Sequence, residues 1–293
     1  MKGIDVSTIQ GAINWKAVAS AGYKFAMIKA TQGRGEGVAT QHLRRFTDSK
    51  FKKNIVEASK AGLACGVYHY MTAKSVSEAR EEAGYFCSMI NPYRSHILLW
   101  AAVDVESERY LGGISKIELA AIVQEFMEVV DNYGFKPMLY TNPNYIKYRF
   151  PENVFKDSDI WLAHYGVKEP YKVPNTQMWQ WGLGKIAGIK GDVDMNEGYF
   201  PGVIPAIAKL ASLGVVDTPT YWLDHYSDVP FLDELLIKSA DRLISGPDAL
   251  LSFDAALKRL EAVGIVNTPA YWVANAPKAK YLTDLICKIG GSV

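Results

Sequence analysis

Two carboxylates one residue apart, Asp104 and Glu106, close the apolar run Ile97-Leu98-Leu99-Trp100-Ala101-Ala102-Val103-Asp104-Val105-Glu106. In a buried strand the side chains alternate, so both acids leave the same face, their α-carbons roughly 6.5–7 Å apart. A strand that is apolar along its length and acidic at its C-terminal end suits a site that handles protons. Glycoside hydrolysis is one chemistry that needs closely placed carboxyl groups, one of them protonated. Neighbouring acids disfavour ionising both, which raises the pKa of whichever keeps its proton. A strand that merely runs out into solvent would also end in acids, so the pair needs support from the rest of the chain.

That support comes from the elements around it. Candidate strands are Gly3–Val6, Phe25–Ala30, Cys65–Tyr70, Leu98–Glu106, Pro137–Thr141, Ile160–His164, Gln177–Trp181 and Asp192–Met195. Helical patterns cover Trp15–Ala21, Lys50–Ala61, Ser77–Met89 and Ser115–Asn132, the last opening on a Ser115-x-x-Glu118 capping box. Strands alternating with helices predict a parallel α/β sheet. Eight strands in about 200 residues, helix-poor after about residue 150, predict an irregular β/α (TIM-like) barrel. A doubly wound open sheet is the alternative.

In a barrel the catalytic groups gather at the C-terminal strand ends. Those ends carry Asp5, Lys29, Tyr68, Tyr70, Asp104, Glu106, Tyr140, Trp161, Gln180 and Asp194. Four acids, a lysine and several aromatics converging on one mouth are hard to explain by packing. Asp5 and Asp194 would add negative potential to the pair, though each could instead cap a turn. Tyr140 is the best candidate for a substrate contact. Tyr68, Tyr70 and Trp161 suit core lining as well as sugar binding, and Lys29 suits pairing with an acid as well as meeting substrate. His69 and His164 alternate away from the mouth and read as buried, satisfied histidines. No His/Cys/Asp spacing resembles a zinc site, and neither a metal nor another cofactor is expected.

Residues 202–293 read differently. The stretch from Ala206 to Trp222 recurs from Ala256 to Trp272, with Ala, Leu, Gly, Val, Thr, Pro, Tyr and Trp in register at an offset of 50 residues. Leu232, Leu235 and Lys238 return as Leu282, Leu285 and Lys288. This is an internal duplication. Each unit predicts a helix, a Gly stop, a Thr-Pro turn with a Tyr-Trp start, and a second amphipathic helix. One unit buries little alone, so the two are expected to pack together. The expected organisation is a catalytic barrel over 1–201, then a small all-α helical repeat domain over 202–293. The repeats span about 203–245 and 248–293. Tyr199-Phe200-Pro201-Gly202 is the junction and Ser245-Gly246-Pro247-Asp248 the turn between repeats. Tyr221-Trp222 and Tyr271-Trp272 read as repeated core residues.

A net charge of +1 over 293 residues gives no broad cationic field for nucleic acid or anionic membrane. Three cysteines, Cys65, Cys87 and Cys287, are few and odd in number, which predicts thiols and no disulfide framework. No apolar stretch approaches the length of a membrane span. Met1-Lys2-Gly3-Ile4-Asp5-Val6 enters strand-like sequence at once, without a signal-peptide core. The expected setting is a cytosol, with later release onto an external substrate.

The motifs together resemble glycoside hydrolase family 25, the Chalaropsis-type lysozymes. The likeness is carried by Gly3-Ile4-Asp5-Val6-Ser7 with Gln10-Gly11 and Trp15, Ile28-Lys29-Ala30-Thr31, Gly66-Val67-Tyr68-His69-Tyr70 and Asp104-Val105-Glu106. It continues through Trp161-Leu162-Ala163-His164-Tyr165, Trp179-Gln180-Trp181 and Val193-Asp194-Met195-Asn196. It implies a β/α barrel muramidase acting on the β-1,4 bond between N-acetylmuramic acid and N-acetylglucosamine. Glu106 then matches the general acid, Asp104 the second acid that orients or stabilises a substrate acetamido group, and Asp5 and Asp194 the flanking acids. Gln32 departs from the glutamate common in the family after Lys-Ala-Thr, which implies changed rim contacts. The C-terminal repeats resemble a Gly-Val-x-x-(Ser/Thr)-Pro-x-Tyr-Trp unit of clostridial cell-wall hydrolases and their phage counterparts. They imply a phage endolysin with a cell-wall-binding module for Gram-positive, clostridial-type peptidoglycan, or a prophage-derived autolysin. A non-catalytic wall-binding lectin and a chitinase-like hydrolase are the rivals, and the repeats could also mediate a dimer.

Overall fold

The computed structural model describes residues 1–35, 44–243, 247 and 251–291. The chain divides into two compact units, one of Met1–Ala58 and Cys65–Phe200, the other of Ser59–Ala64 and Pro201–Val293.

The first unit runs β1 (Lys2–Val6), α1 (Trp15–Ser20), β2 (Phe25–Gln32), β3 (Phe46–Thr47), α2 (Phe51–Lys60) and β4 (Ala64–Tyr70). It continues with α3 (Val76–Ile90), β5 (Ala101–Asp104), α4 (Glu108–Leu111), α5 (Lys116–Asn132), β6 (Pro137–Thr141), β7 (Ile160–Ala163), β8 (Thr176–Gly184) and β9 (Val193–Gly198). Eight strands close into a barrel in the order β1-β2-β4-β5-β6-β7-β8-β9, with β9 returning to β1 and β3 added outside β2. The mixed α/β barrel is the expected architecture, and the open sheet is excluded by the closing pair.

Two expectations need correction. The barrel is not wholly parallel, because β9 runs antiparallel to both β8 and β1. Only eight residues separate β8 from β9, too few for a crossover helix, and a short connection returns the chain antiparallel. The strand expected over Leu98–Glu106 is regular only over Ala101–Asp104. Leu98 and Leu99 both donate their N–H to the Cys65 carbonyl, at 2.9 and 3.0 Å. Two successive donors on one acceptor interrupt the alternation that a ladder requires.

The barrel floor is filled by aromatic rings. Phe200 packs edge-on against Phe25 at 5.2 Å and against Trp100 at 5.4 Å between centroids. Glycines make this possible: a β-carbon on Gly3 would lie 2.2 Å from the Phe25 ring, and one on Gly198 would lie 2.7 Å from Phe200. Met27 fills the next level over Gly66, where a β-carbon would meet its sulfur at 2.4 Å. The barrel is therefore solid below and open only at the strand ends. On its outer face, buried His69 lies between Thr31 Oγ1 at 2.7 Å and Glu82 Oε2 at 2.9 Å, as satisfied as expected. His164 is satisfied but only half-buried, its Nδ1 accepting from the Tyr171 N–H at 2.9 Å. Cys65, Cys87 and Cys287 are buried thiols.

The second unit holds α6 (Val203–Ser212), α7 (Pro219–His225), α8 (Leu232–Arg242), α9 (Phe253–Ala262), α10 (Pro269–Asn275) and α11 (Leu282–Gly291). Helices α6 to α8 recur as α9 to α11. Gly214 and Gly264 stop the first helix of each set at φ +71° and +67°, left-handed values that favour glycine. Pro219 and Pro269 open the second helices. Leu210, Trp222, Leu232 and Leu235 share one core with Leu260, Trp272, Leu282 and Leu285. The repeats tie reciprocally: Tyr221 donates to the Lys280 carbonyl at 3.2 Å, and Tyr271 to that of Pro230, the equivalent residue, at 2.8 Å. Of the turn expected at Ser245-Gly246-Pro247-Asp248, all but Pro247 lies outside the described residues. No helix among the described residues is long and apolar enough to cross a membrane.

Candidate active site

Strand register sets the level of each group at the barrel mouth. Tyr70 pairs with Asp104, Asp104 with Tyr140, and Tyr140 with Trp161 across β4 to β7. On the far side Gln180 pairs with Asn196, and Asp5 with Asp194. Asp194 stands near the start of its strand, so a rule about C-terminal ends does not reach it. The reversal of β9 brings that start to the same rim as the ends of the parallel strands. Beyond β5 the alternation persists, because Val105 N–H donates to the Tyr140 carbonyl at 2.9 Å and Thr141 Oγ1 to the Val105 carbonyl at 2.8 Å. Glu106 is thereby turned to the same side as Asp104.

The result is a cavity of about 260 Å³ lined by all ten residues expected there: Asp5, Lys29, Tyr68, Tyr70, Asp104, Glu106, Tyr140, Trp161, Gln180 and Asp194. Val6, Ser7, Ile9, Gln10 and Tyr165 complete its wall.

A hydrogen-bond relay fixes one half of the site. Asp5 Oδ2 accepts from Gln180 Nε2 at 2.7 Å and from Asn196 Nδ2 at 2.8 Å. Asn196 Oδ1 in turn accepts from Trp161 Nε1 at 2.7 Å. Gln180 Oε1 accepts from the hydroxyls of Tyr140 at 2.7 Å and Tyr165 at 2.5 Å. Tyr165 also reaches Asp194 Oδ1 at 3.0 Å, and its single proton serves one acceptor at a time. The Tyr140 hydroxyl also reaches Glu106 Oε2 at 3.5 Å, and its single proton serves Gln180 or Glu106 at a time.

The acids share one electrostatic problem. Burial, then the charge of Asp194, push Asp5 up to about 7 despite its two amide donors. Burial and then Glu106 raise Asp104 well above the carboxylate range, against the pull of Lys29. Glu106 is raised by burial and by Asp194, with Tyr140 and Lys29 opposing. Asp194 is raised by burial, with the Tyr165 hydroxyl opposing. Burial lowers Lys29, whose ammonium stays near Asp104, Asp48 and Glu106. Its Nζ donates to Gln32 Oε1 at 2.7 Å and lies 5.0 Å from the Tyr70 ring centroid.

Asp104 and Glu106 differ in one decisive respect. Asp104 is buried, and its Oδ1 has no hydrogen-bond partner among the described residues. A buried carboxyl oxygen left unpaired is costly, and it is relieved by a ligand that donates to it. Glu106 stands among the cavity walls that desolvate it, yet its side chain reaches solvent in the mouth, open to a reacting oxygen.

Residues 4–189 match the profile of glycosyl hydrolases family 25, well over half of the chain. The chain belongs to that family. It is 31% identical over 198 residues to the autolytic lysozyme of Clostridium acetobutylicum, covering 67% of this chain and 55% of that one. It is 30% identical over 223 residues to lysozyme M1 of Streptomyces globisporus, covering 72% and 71% respectively. A bacterial lysozyme from Streptomyces coelicolor shares its structure at a TM-score of 0.59 and 28% identity, over 71% of this chain and 96% of that one. The chain thus spans little more than half the length of the clostridial relative.

Within this family 25 barrel, sequence reasoning missed two supporting residues. Asn196 sits in the Val193–Asn196 motif, two residues from Asp194 on the same strand face, and that spacing could have found it. Tyr165 lies beyond β7 on no regular element, so no periodicity pointed to it.

Proposed function

We propose that this glycosidase is an N-acetylmuramidase, cleaving the β-1,4 bond between N-acetylmuramic acid and N-acetylglucosamine in peptidoglycan. The observation that carries the reading is the unequal setting of the two carboxyls at one strand end, Glu106 exposed and Asp104 buried with Oδ1 unpartnered. The lysozyme names of the relatives support the polymer.

Glu106 acts as general acid and gives its proton to the glycosidic oxygen as the bond to the muramic acid C1 breaks. Asp104 Oδ1 accepts from the acetamido N–H on the same sugar and holds the acetamide so that its carbonyl oxygen closes on C1. One C–O bond breaks and one forms, leaving a protonated leaving-group hydroxyl and a positively charged oxazolinium ring. Ionised Glu106 then takes a proton from the water that reopens the ring, with net retention of configuration. Asp194, joined by Asp5 once it ionises near pH 7, supplies negative potential to the oxocarbenium-like centre, and the rings of Tyr140 and Trp161 border the sugar. Glu106→Gln tests this: wall lysis measured by turbidity should be lost while the fold and wall binding persist, and near-wild-type lysis would remove Glu106 as the acid.

The second unit serves as a wall-binding module that keeps the barrel on Gram-positive peptidoglycan of clostridial type. The enzyme as a whole then acts as a lysin, of a phage at the end of infection or of the cell itself. The autolytic name of the clostridial relative favours keeping the second role open. Expression timing separates them, confined to prophage induction in one case and following growth in the other.

A further inference from the structure

The duplication creates a second cavity, of about 210 Å³, within the C-terminal unit. Its lining includes four pairs of equivalent positions from the two repeats: His225 with Asn275, Asp228 with Lys278, Val229 with Ala279, and Pro230 with Lys280. A cavity bounded by both members of so many pairs straddles the axis that relates the repeats. The two walls are not alike, because the repeats have diverged in charge. Residues 203–243 hold three cations and six acids, whereas residues 253–293 hold five cations and three acids. At the cavity this becomes Asp228 on one wall facing Lys278 and Lys280 on the other.

These charges are not spent on one another. Asp228 is ion-paired to neither lysine among the described residues. Lys278 Nζ makes a long contact of 3.4 Å to Asn275 Oδ1, and Lys280 Nζ lies over the Tyr281 ring at 4.6 Å. Between the walls stands a stacked pair, Tyr221 and His225, with centroids 4.1 Å apart and planes 12° from parallel. His225 Nδ1 lies 2.7 Å from the Tyr221 carbonyl. A carbonyl only accepts, so Nδ1 carries a proton.

We infer that this cavity binds a zwitterionic amino-acid end, a carboxylate and an ammonium on one carbon, as at the free end of an uncross-linked diaminopimelate side chain in a wall peptide. The carboxylate meets Lys278 and Lys280, the ammonium meets Asp228, and the aliphatic stem lies on the Tyr221–His225 face. The inference rests on the wall-directed function proposed above and names what the second unit recognises.

Titration calorimetry of the full chain with the tripeptide L-Ala-γ-D-Glu-meso-diaminopimelate tests it, independently of turnover. Saturable binding is expected, weakened at least ten-fold by Asp228→Asn, by Lys278→Ala, and by acetylating the free ammonium of the peptide. Each variant should keep its melting temperature and its cleavage of soluble glycan fragments. Absence of binding by the wild-type chain, or equal binding by both variants, overturns it. Binding of a ribitol-phosphate polymer that needs Lys278 but not Asp228 also overturns it, in favour of an anion site. Should peptide binding hold while no glycan is cut, the muramidase function fails and this site stands.

Discussion

Asp5 and Asp194 face each other across the antiparallel β1–β9 pair, brought opposite from the two ends of the barrel sequence. Like charges directly opposite on a sheet are unfavourable, and here burial adds to the cost, so Asp5 keeps its proton up to about pH 7. The ordinary carboxylate value in an unfolded chain is near 4. A folded value above the unfolded one contributes stability that is full below pH ~4 and lost as pH rises through about 7. Asp104, Glu106 and Asp194 are shifted the same way. Thermal melts should therefore show stability falling between pH ~4 and ~7, and Asp5→Asn should flatten that slope. A slope unchanged in the variant would deny Asp5 its raised pKa.

Gln32 tunes the acid through Lys29. Replacing Gln32 by Glu puts a carboxylate on the ammonium it now accepts from at 2.7 Å. The cation that opposes the raising of Asp104 and Glu106 would then be partly neutralised. Gln32→Glu should move the alkaline limb of the kcat/KM–pH profile upward, because Glu106 holds its proton to higher pH. A limb that stays in place or moves down would separate Lys29 from the acid.

Much of the site could be seen in the chain itself, because it depends on strand alternation. Asp104 and Glu106 keep their common side even though regular strand ends at Asp104. Asp194 was found for a reason that does not hold: its strand end is N-terminal, and only the antiparallel return of β9 delivers it. Direction of pairing depends on contacts between distant segments, which local periodicity does not encode. The relay through Asn196 and Tyr165 was missed for the same reason, since a polar side chain's partner is set by tertiary placement. The duplication at 50 residues was plain, whereas the charged cavity between its copies needed the packing of both.

Gly3 holds its place by sterics. A methyl group there would meet the Phe25 ring at 2.2 Å, in a floor already closed by Phe200 and Trp100. Gly3→Ala should destabilise the barrel by about 1–3 kcal/mol, the usual cost of overpacking. Denaturant unfolding followed by tryptophan fluorescence reads this, and an unchanged midpoint would show that Phe25 can yield.

A chain ending at Phe200 should keep the cavity, whose lining lies entirely within the first unit. It should cleave soluble peptidoglycan fragments at near the full-length rate and lyse whole cells several-fold more slowly. Equal lysis by both would count against wall attachment by the repeats.

The most direct test is mass spectrometry of borohydride-reduced glycan fragments from purified peptidoglycan. The wild-type chain should produce muramitol ends and the Glu106→Gln variant should produce at least a hundred-fold fewer, within the range general acids contribute. Glucosaminitol ends, or muramitol ends undiminished in the variant, would contradict the assignment of Glu106 as the acid of a muramidase.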